Sequence, residues 1–160
     1  MSNTIRRVVT GHDNAGHAVV LSDDEIPVVG FPGVAGGSAV VWTTGAVPAD
    51  NATDVAGSDR PTGTAFTRGS VLRVMEFGPG FVAPMHRTRS IDYIAVLSGE
   101  LDLELDDGSV TRLHAGDILV QRGTIHRWRN PSQDTPCRWI ASMIEAEPIS
   151  VAGQTLDQTM

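Results

Sequence analysis

The apolar residues of this chain fall in short runs, each bounded by turn formers such as Gly, Pro, Asn or Asp, and none keeps the spacing of an amphipathic helix. The clearest segment is Leu101-Asp102-Leu103-Glu104-Leu105-Asp106, where apolar and acidic residues alternate. A period of two is that of a half-buried strand, so the three Leu are expected to face a core and the acids water. Asp107-Gly108 then reads as a tight turn into a strand over 110–113. A first hairpin is predicted from strands 6–10 and 17–21 around the turn Asp13-Asn14-Ala15-Gly16. Further strands are predicted over 38–44, 71–77, 91–97, 117–121, 125–129 and 138–144. Residues 22–37 turn acidic and then Gly- and Pro-rich, and are assigned no strand. Residues 46–64 lack any apolar period and read as a long surface loop.

Short strands joined by Gly-containing turns predict an all-β chain closed as a barrel or jelly roll. There is no internal repeat. Length suits one domain, large enough to bury a core without disulfides. Within it, 1–66 supplies N-terminal strands and the long loop, packed on or exchanged with a barrel over 67–147. The polar tail 148–160 is expected to be loosely attached.

Charge narrows the partners. Lys and Arg total 12 against 19 Asp and Glu, a formal charge of −7. Such a balance argues against nucleic acid and against an anionic membrane surface, which both need clustered basic charge. The single cysteine, Cys137, cannot form an internal disulfide, so the fold needs no oxidising compartment, and nothing marks it as a nucleophile. The first residues lack the apolar run of a signal peptide, and no stretch approaches the roughly 20 apolar residues that span a bilayer. A soluble cytoplasmic protein is the expectation.

Two segments carry the candidate chemistry. One runs from Gly80 through His86, Thr88 and Asp92 to Gly99, and the other from Gly116 through Gln121, Gly123 and His126 to Asn130. Here the chain resembles the cupin superfamily, whose motifs read G-x5-H-x-H-x3,4-E-x6-G and G-x5-P-x-G-x2-H-x3-N. The first motif keeps the family's spacing throughout, and the first gap of the second is one residue shorter. The motifs span about 80–130, and flanking strands extend the likeness over roughly 67–145. The resemblance implies a double-stranded β-helix, a jelly-roll cupin barrel with extra N-terminal strands. It also implies a homodimer built through residues 6–21 or 38–44, where pairing would cover an open sheet edge.

The family commonly holds a divalent metal on three His and one Glu. In this chain Thr88 stands at the second His, Asp92 at the Glu and Gln121 at the Pro of the second motif. The resemblance therefore carries over His86, Asp92 and His126, as metal ligands and as catalytic groups. Two imidazoles and a carboxylate suit non-haem Fe(II) or a catalytic Zn, with Mn and Ni also in range. The competing reading is a hydrogen-bonded polar cluster without metal, still able to move protons near neutral pH.

Thr88, Gln121, Trp128 and Arg73 are candidates for substrate contact. Trp128 shares the face of His126 and either stacks on a flat substrate or packs in the core. Arg73 shares the parity of Met75 and Phe77 and, if inward, can pair with a substrate carboxylate; an exposed or dimer-facing Arg73 is the alternative. Met85, Met143 and Tyr93 read as packing. Arg87, Arg127 and Arg129 read as solvated or interfacial, and His12 and His114 have no role. The expected function is a cupin enzyme acting on a small organic molecule by metal-dependent non-oxidative chemistry, as a lyase, decarboxylase, isomerase or cyclase. An Fe(II) dioxygenase, a metal-free acid–base enzyme and a non-catalytic binding cupin are the alternatives, since fold alone does not assign function.

Overall fold

The computed structural model describes residues 4–52, 57 and 68–159, and every regular element in them is a strand. β1 (Thr4–His12) and β2 (Ala18–Pro27) form a hairpin of their own. The next nine strands build two sheets. They are β3 (Val29–Gly30), β4 (Gly36–Thr44), β5 (Ser70–Phe77), β6 (Ser90–Ser98), β7 (Glu100–Leu105), β8 (Val110–His114), β9 (Ile118–Arg122), β10 (His126–Arg129) and β11 (Cys137–Glu145). One sheet has the order β3-β4-β5-β11-β6-β9 and the other β10-β7-β8, with all pairs antiparallel. β12 (Ile149–Val151) and β13 (Gln154–Leu156) form a last hairpin. This is the all-β, jelly-roll class expected from the pattern.

The core lies between the two sheets because the strands alternate as their sequences do. Leu101 and Leu103 of β7 meet Ile94 and Val96 of β6 and Trp139, Ala141 and Met143 of β11 in one buried cluster. Each such side chain contributes roughly 1.5–3 kcal/mol by leaving water. An aromatic series runs through that cluster toward the motif residues. Phe81 stacks on Phe77 at 4.1 Å, Phe77 meets the edge of Trp139 at 5.4 Å, and Trp139 lies 5.2 Å from Trp128.

The motif glycines and asparagine hold the strand ends. Gly80, Gly99, Gly116 and Gly123 all have positive φ, between +58° and +96°. Gly99 is the most constrained, since a Cβ there would sit 2.6 Å from the Pro136 carbonyl. Asn130 is 2 % exposed, and its amide nitrogen lies within 3.1 Å of the carbonyls of Phe77, Gly78 and Thr135. Its carbonyl oxygen accepts from Ser132 N. Asn130 thus ties β10 to the end of β5 and is structural.

Four expectations are corrected. Residues 22–27 are strand, as part of β2, because Asp23 and Asp24 pair with Arg6 and Arg7 across the hairpin. Two acids of β7 do not face open water, while Asp106 beyond it is exposed as expected. Asp102 is 3 % exposed beneath Arg112, and Glu104 is held by Arg127 and Arg129. The tail is not loose, because the β12–β13 hairpin folds back and Thr159 exchanges both main-chain hydrogen bonds with Arg87. Several strand ends also move by one or two residues, β9 to 118–122 and β11 to 137–145. Of the loop expected over 46–64, the described residues 46–52 hold no strand, and all the others except Gly57 lie outside the described residues.

Candidate active site

His86 and His126 come together because the segment before β6 bridges β10. His86 N donates to His126 O at 2.8 Å, His126 N donates to His86 O at 2.9 Å, and the ring centroids are 4.4 Å apart. His86 is partly exposed, while His126 is 1 % exposed and meets Trp128 edge-on at 5.1 Å. His86 Nδ1 donates to the Pro84 carbonyl at 3.0 Å. His126 Nδ1 lies 2.9 Å from the Thr124 carbonyl and 2.9 Å from the Gln121 amide nitrogen. A carbonyl only accepts, so the Pro84 and Thr124 contacts favour a proton on Nδ1 and a lone pair on Nε2 of each ring, and the Gln121 amide gives its hydrogens to Thr124. Burial pushes the His126 pKa down to about 4, partly offset by the Thr124 carbonyl, so its ring is neutral.

Asp92 enters from the other sheet. It lies on the inward parity of β6 with Ser90, Ile94 and Val96, and is 5 % exposed. Burial raises its pKa to about 6, against the opposing effects of the Ser90 hydroxyl, His86 and Arg73. Its Oδ1 is buried and has no hydrogen-bond partner. Arg73 is inward on β5 and 8 % exposed, as the pairing reading requires. Its guanidinium pKa is lowered by burial and raised in turn by Asp92. Thr88 and Ser90 are 6 % and 2 % exposed, with their hydroxyl oxygens 2.8 Å apart. Ser90 is absent from the sequence-based candidates. Its signal was parity: residues 88, 90 and 92 share one face leading to the carboxylate.

Other candidates resolve as follows. Gln121 is 3 % exposed, lies against the His126 ring and donates to the carbonyl and hydroxyl oxygens of Thr124. Trp128 is 5 % exposed inside the core cluster, so the packing alternative describes it. Met143 is core, while Tyr93 is 48 % exposed, which corrects its reading as packing. Arg127 and Arg129 are ion-paired to Glu104, and Arg87 reaches the Asp157 carbonyl. Cys137 is buried, with its thiol pushed up to about 12.

Among the described residues, no three His, Cys, Asp or Glu side chains are gathered closely enough to hold a metal ion. His86, Asp92 and His126 as they stand therefore do not form the three-ligand set that the resemblance implies. The missing methylene of Asp92 relative to Glu is a physical reason for the shortfall. Two cavities lie elsewhere on the chain, of about 210 and 630 Å³, and these three residues line neither.

Known proteins place the chain in a family. A family model described as "Cupin domain" matches residues 73–143, from Arg73 in β5 to Met143 in β11. Phomopsin biosynthesis cluster protein C' of Diaporthe leptostromiformis is 40% identical over 162 residues, covering 96% of this chain and 85% of the relative. The chain belongs to the cupin family. A cupin-domain-containing oxidoreductase of Neurospora crassa, srdB, is 31% identical to this cupin, with 96% and 80% of the two chains covered. A putative ethanolamine utilization protein Q from Salmonella typhimurium shares the fold, with a TM-score of 0.53 at 14% identity over 91% of this chain and 100% of that one. No helix among the described residues is long and apolar enough to cross a membrane.

Proposed function

We propose that this cupin is an enzyme of small-molecule biosynthesis that moves protons within its barrel, with Asp92 as the acid–base group. The observation that carries the reading is Asp92 itself: a carboxyl 5 % exposed, with one oxygen unpartnered, facing His86 and Arg73. A carboxyl shifted to about 6 is shared between acid and base forms near neutral pH. As base, Asp92 takes a proton from a carbon next to a carbonyl, and the electron pair moves onto the carbonyl oxygen. The Arg73 guanidinium stabilises the negative charge that develops there. Returned to another carbon, the proton completes an isomerisation; delivered to a leaving hydroxyl, it completes a dehydration. Similarity to a protein named for a biosynthesis cluster supports a small organic substrate.

The test is hydrogen exchange at carbon. A panel of cyclic and linear β-dicarbonyl compounds is incubated with the protein in D2O and followed by NMR. Exchange above the buffer rate, reduced by roughly a hundredfold or more in Asp92→Asn, is the expected result. Equal exchange by the two proteins sinks the assignment of Asp92.

A second reading keeps the family's metal. His86 and His126 both anchor Nδ1 on main-chain carbonyls, the arrangement that orients imidazole ligands. A divalent ion bound there would supply Lewis-acid or redox chemistry, after His86, His126 and Asp92 draw together. Elemental analysis before and after chelation separates the two readings: stoichiometric Fe, Zn, Mn or Ni favours the metal, and none taken up on reconstitution favours proton transfer.

A further inference from the structure

The β12–β13 hairpin does not lie flat on the barrel. Between it and the ends of β6 and β9 is a cavity of about 210 Å³. One wall is apolar, from Ile91, Pro148, Ile149 and Leu156. Thr88, Ser90 and Gly123 line it from the barrel, and Arg87, Arg89 and Arg122 bring three of the chain's 12 basic residues to it. Glu147 is the only acid among the lining residues.

The three guanidinium groups are not equivalent. Arg87 donates to the Asp157 carbonyl at 3.3 Å, and Arg89 pairs with the Asp157 carboxylate at 3.2 Å. Both fasten the hairpin to the barrel, together with the Arg87–Thr159 main-chain bonds. Arg122, at the end of β9, has no ion-pair partner among the described residues. An unpaired guanidinium beside apolar walls fits a planar anion with an organic body. A carboxylate matches the guanidinium fork by two parallel hydrogen bonds. Pockets for drug-sized ligands run roughly 300–1,000 Å³, so this space takes a single ring or a short chain.

We propose that this cavity is a binding site for a small organic monocarboxylate, held by Arg122 and roofed by the C-terminal hairpin. It is separate from the barrel interior, because Thr88 and Ser90 form the wall between it and Asp92. The proposal goes beyond the proton-transfer reading and does not depend on it. A ligand there would lie behind the backbone of Thr88 and Ser90.

Benzoate and hexanoate are the probes, with benzamide as the uncharged control, titrated into the full chain by calorimetry or ligand-observed NMR. At least one carboxylate should bind with a dissociation constant in the millimolar range or tighter, and benzamide more weakly. Arg122→Gln should weaken carboxylate binding by about tenfold or more, the scale of one charge-assisted hydrogen bond. Ile149→Trp, which fills the cavity without touching the barrel interior, should abolish it. Asp92→Asn should leave it unchanged, which separates this site from the barrel. The proposal is overturned if neither carboxylate binds, if benzamide binds equally, or if Arg122→Gln binds like the unaltered chain. Binding lost in Asp92→Asn and kept in Ile149→Trp would place the ligand in the barrel instead and overturn it too.

Discussion

His86 and His126 exchange both of their main-chain hydrogen bonds, at 2.8 and 2.9 Å, and hold their rings 4.4 Å apart. The two rings are unequal partners. His126 is 1 % exposed and contacts Gln121, Thr124 and Trp128, while His86 is partly exposed with one side-chain hydrogen bond. Replacing His126 by Ala opens space beside Trp128, at a cost of about 3 kcal/mol. Replacing His86 by Ala should cost about 1 kcal/mol or less, since its backbone bonds survive. Chemical denaturation of the two variants checks the difference; equal losses would mean the pair is held by its side chains.

Asp92 and His126 make opposite contributions to the pH dependence of stability. The carboxyl is raised from 3.8 to about 6, so between those values the folded chain keeps a proton that the unfolded chain has lost. Its stabilising contribution is complete below pH 3.8 and is lost as pH rises through 6. His126 is lowered from 6.5 to about 4, so in that interval the unfolded chain takes up a proton that the folded one refuses. Its contribution is complete above pH 6.5 and is lost as pH falls through 4. Each effect is on the order of 3 kcal/mol, and they nearly cancel between pH 4 and 6. Asp92→Asn should therefore be more stable than the unaltered chain at neutral pH, and its stability should climb steeply from pH 4 to 6.5. His126→Gln should show the reverse slope. Denaturation midpoints across this range test both, and parallel profiles would remove the buried pair as the cause.

The barrel was legible because its signals are local. Period-two runs such as 101–106 and the spaced Gly-His segments specify strand, turn and facing without knowledge of neighbours. What stayed hidden depends on pairing across the fold. Asp23 and Asp24 look like loop residues until Arg6 and Arg7 stand opposite them, and Asp102 looks solvated until Arg112 covers it. The tail looks loose because 148–160 is polar, yet main-chain bonds between Arg87 and Thr159 and the Arg89–Asp157 ion pair hold it to the barrel, contacts visible only once the chain is folded. For the site, motif spacing identified His86, Asp92 and His126, and the two His do meet. Whether three groups close into a ligand set depends on the distance across the two sheets, and a shift from Glu to Asp alters that reach without altering the spacing.

Asp102 gives a direct measure of the outward face. Its carboxylate is 4 % exposed and accepts from Arg112 Nε at 2.8 Å and Nη2 at 3.1 Å. Arg112→Ala leaves that charge without its fork, and the loss should be about 2 kcal/mol. In an Asp102→Asn background the same Arg112→Ala change should cost less than about 1 kcal/mol. A double-mutant cycle by urea denaturation measures the coupling, and a coupling near zero would mean that water replaces the arginine at no cost.

Gly99 and Gly116 separate two reasons for a glycine. Both have positive φ, +75° and +96°, so Ala at either position carries backbone strain of about 1 kcal/mol. Only Gly99 faces an obstacle. Its Cβ would lie 2.6 Å from the Pro136 carbonyl and 3.0 Å from Cys137 Cα, both main chain and both at the start of β11. Around Gly116 nothing lies within 4 Å of the added carbon. Gly99→Ala must then push β11 away from the β6–β7 turn, beside Trp139 in the core. Its cost should exceed that of Gly116→Ala by about 2 kcal/mol, taken as overpacking against a well-packed core. Thermal or urea denaturation of the two variants decides it: similar losses would show that the turn between β6 and β7 yields freely and that φ alone explains both motif glycines.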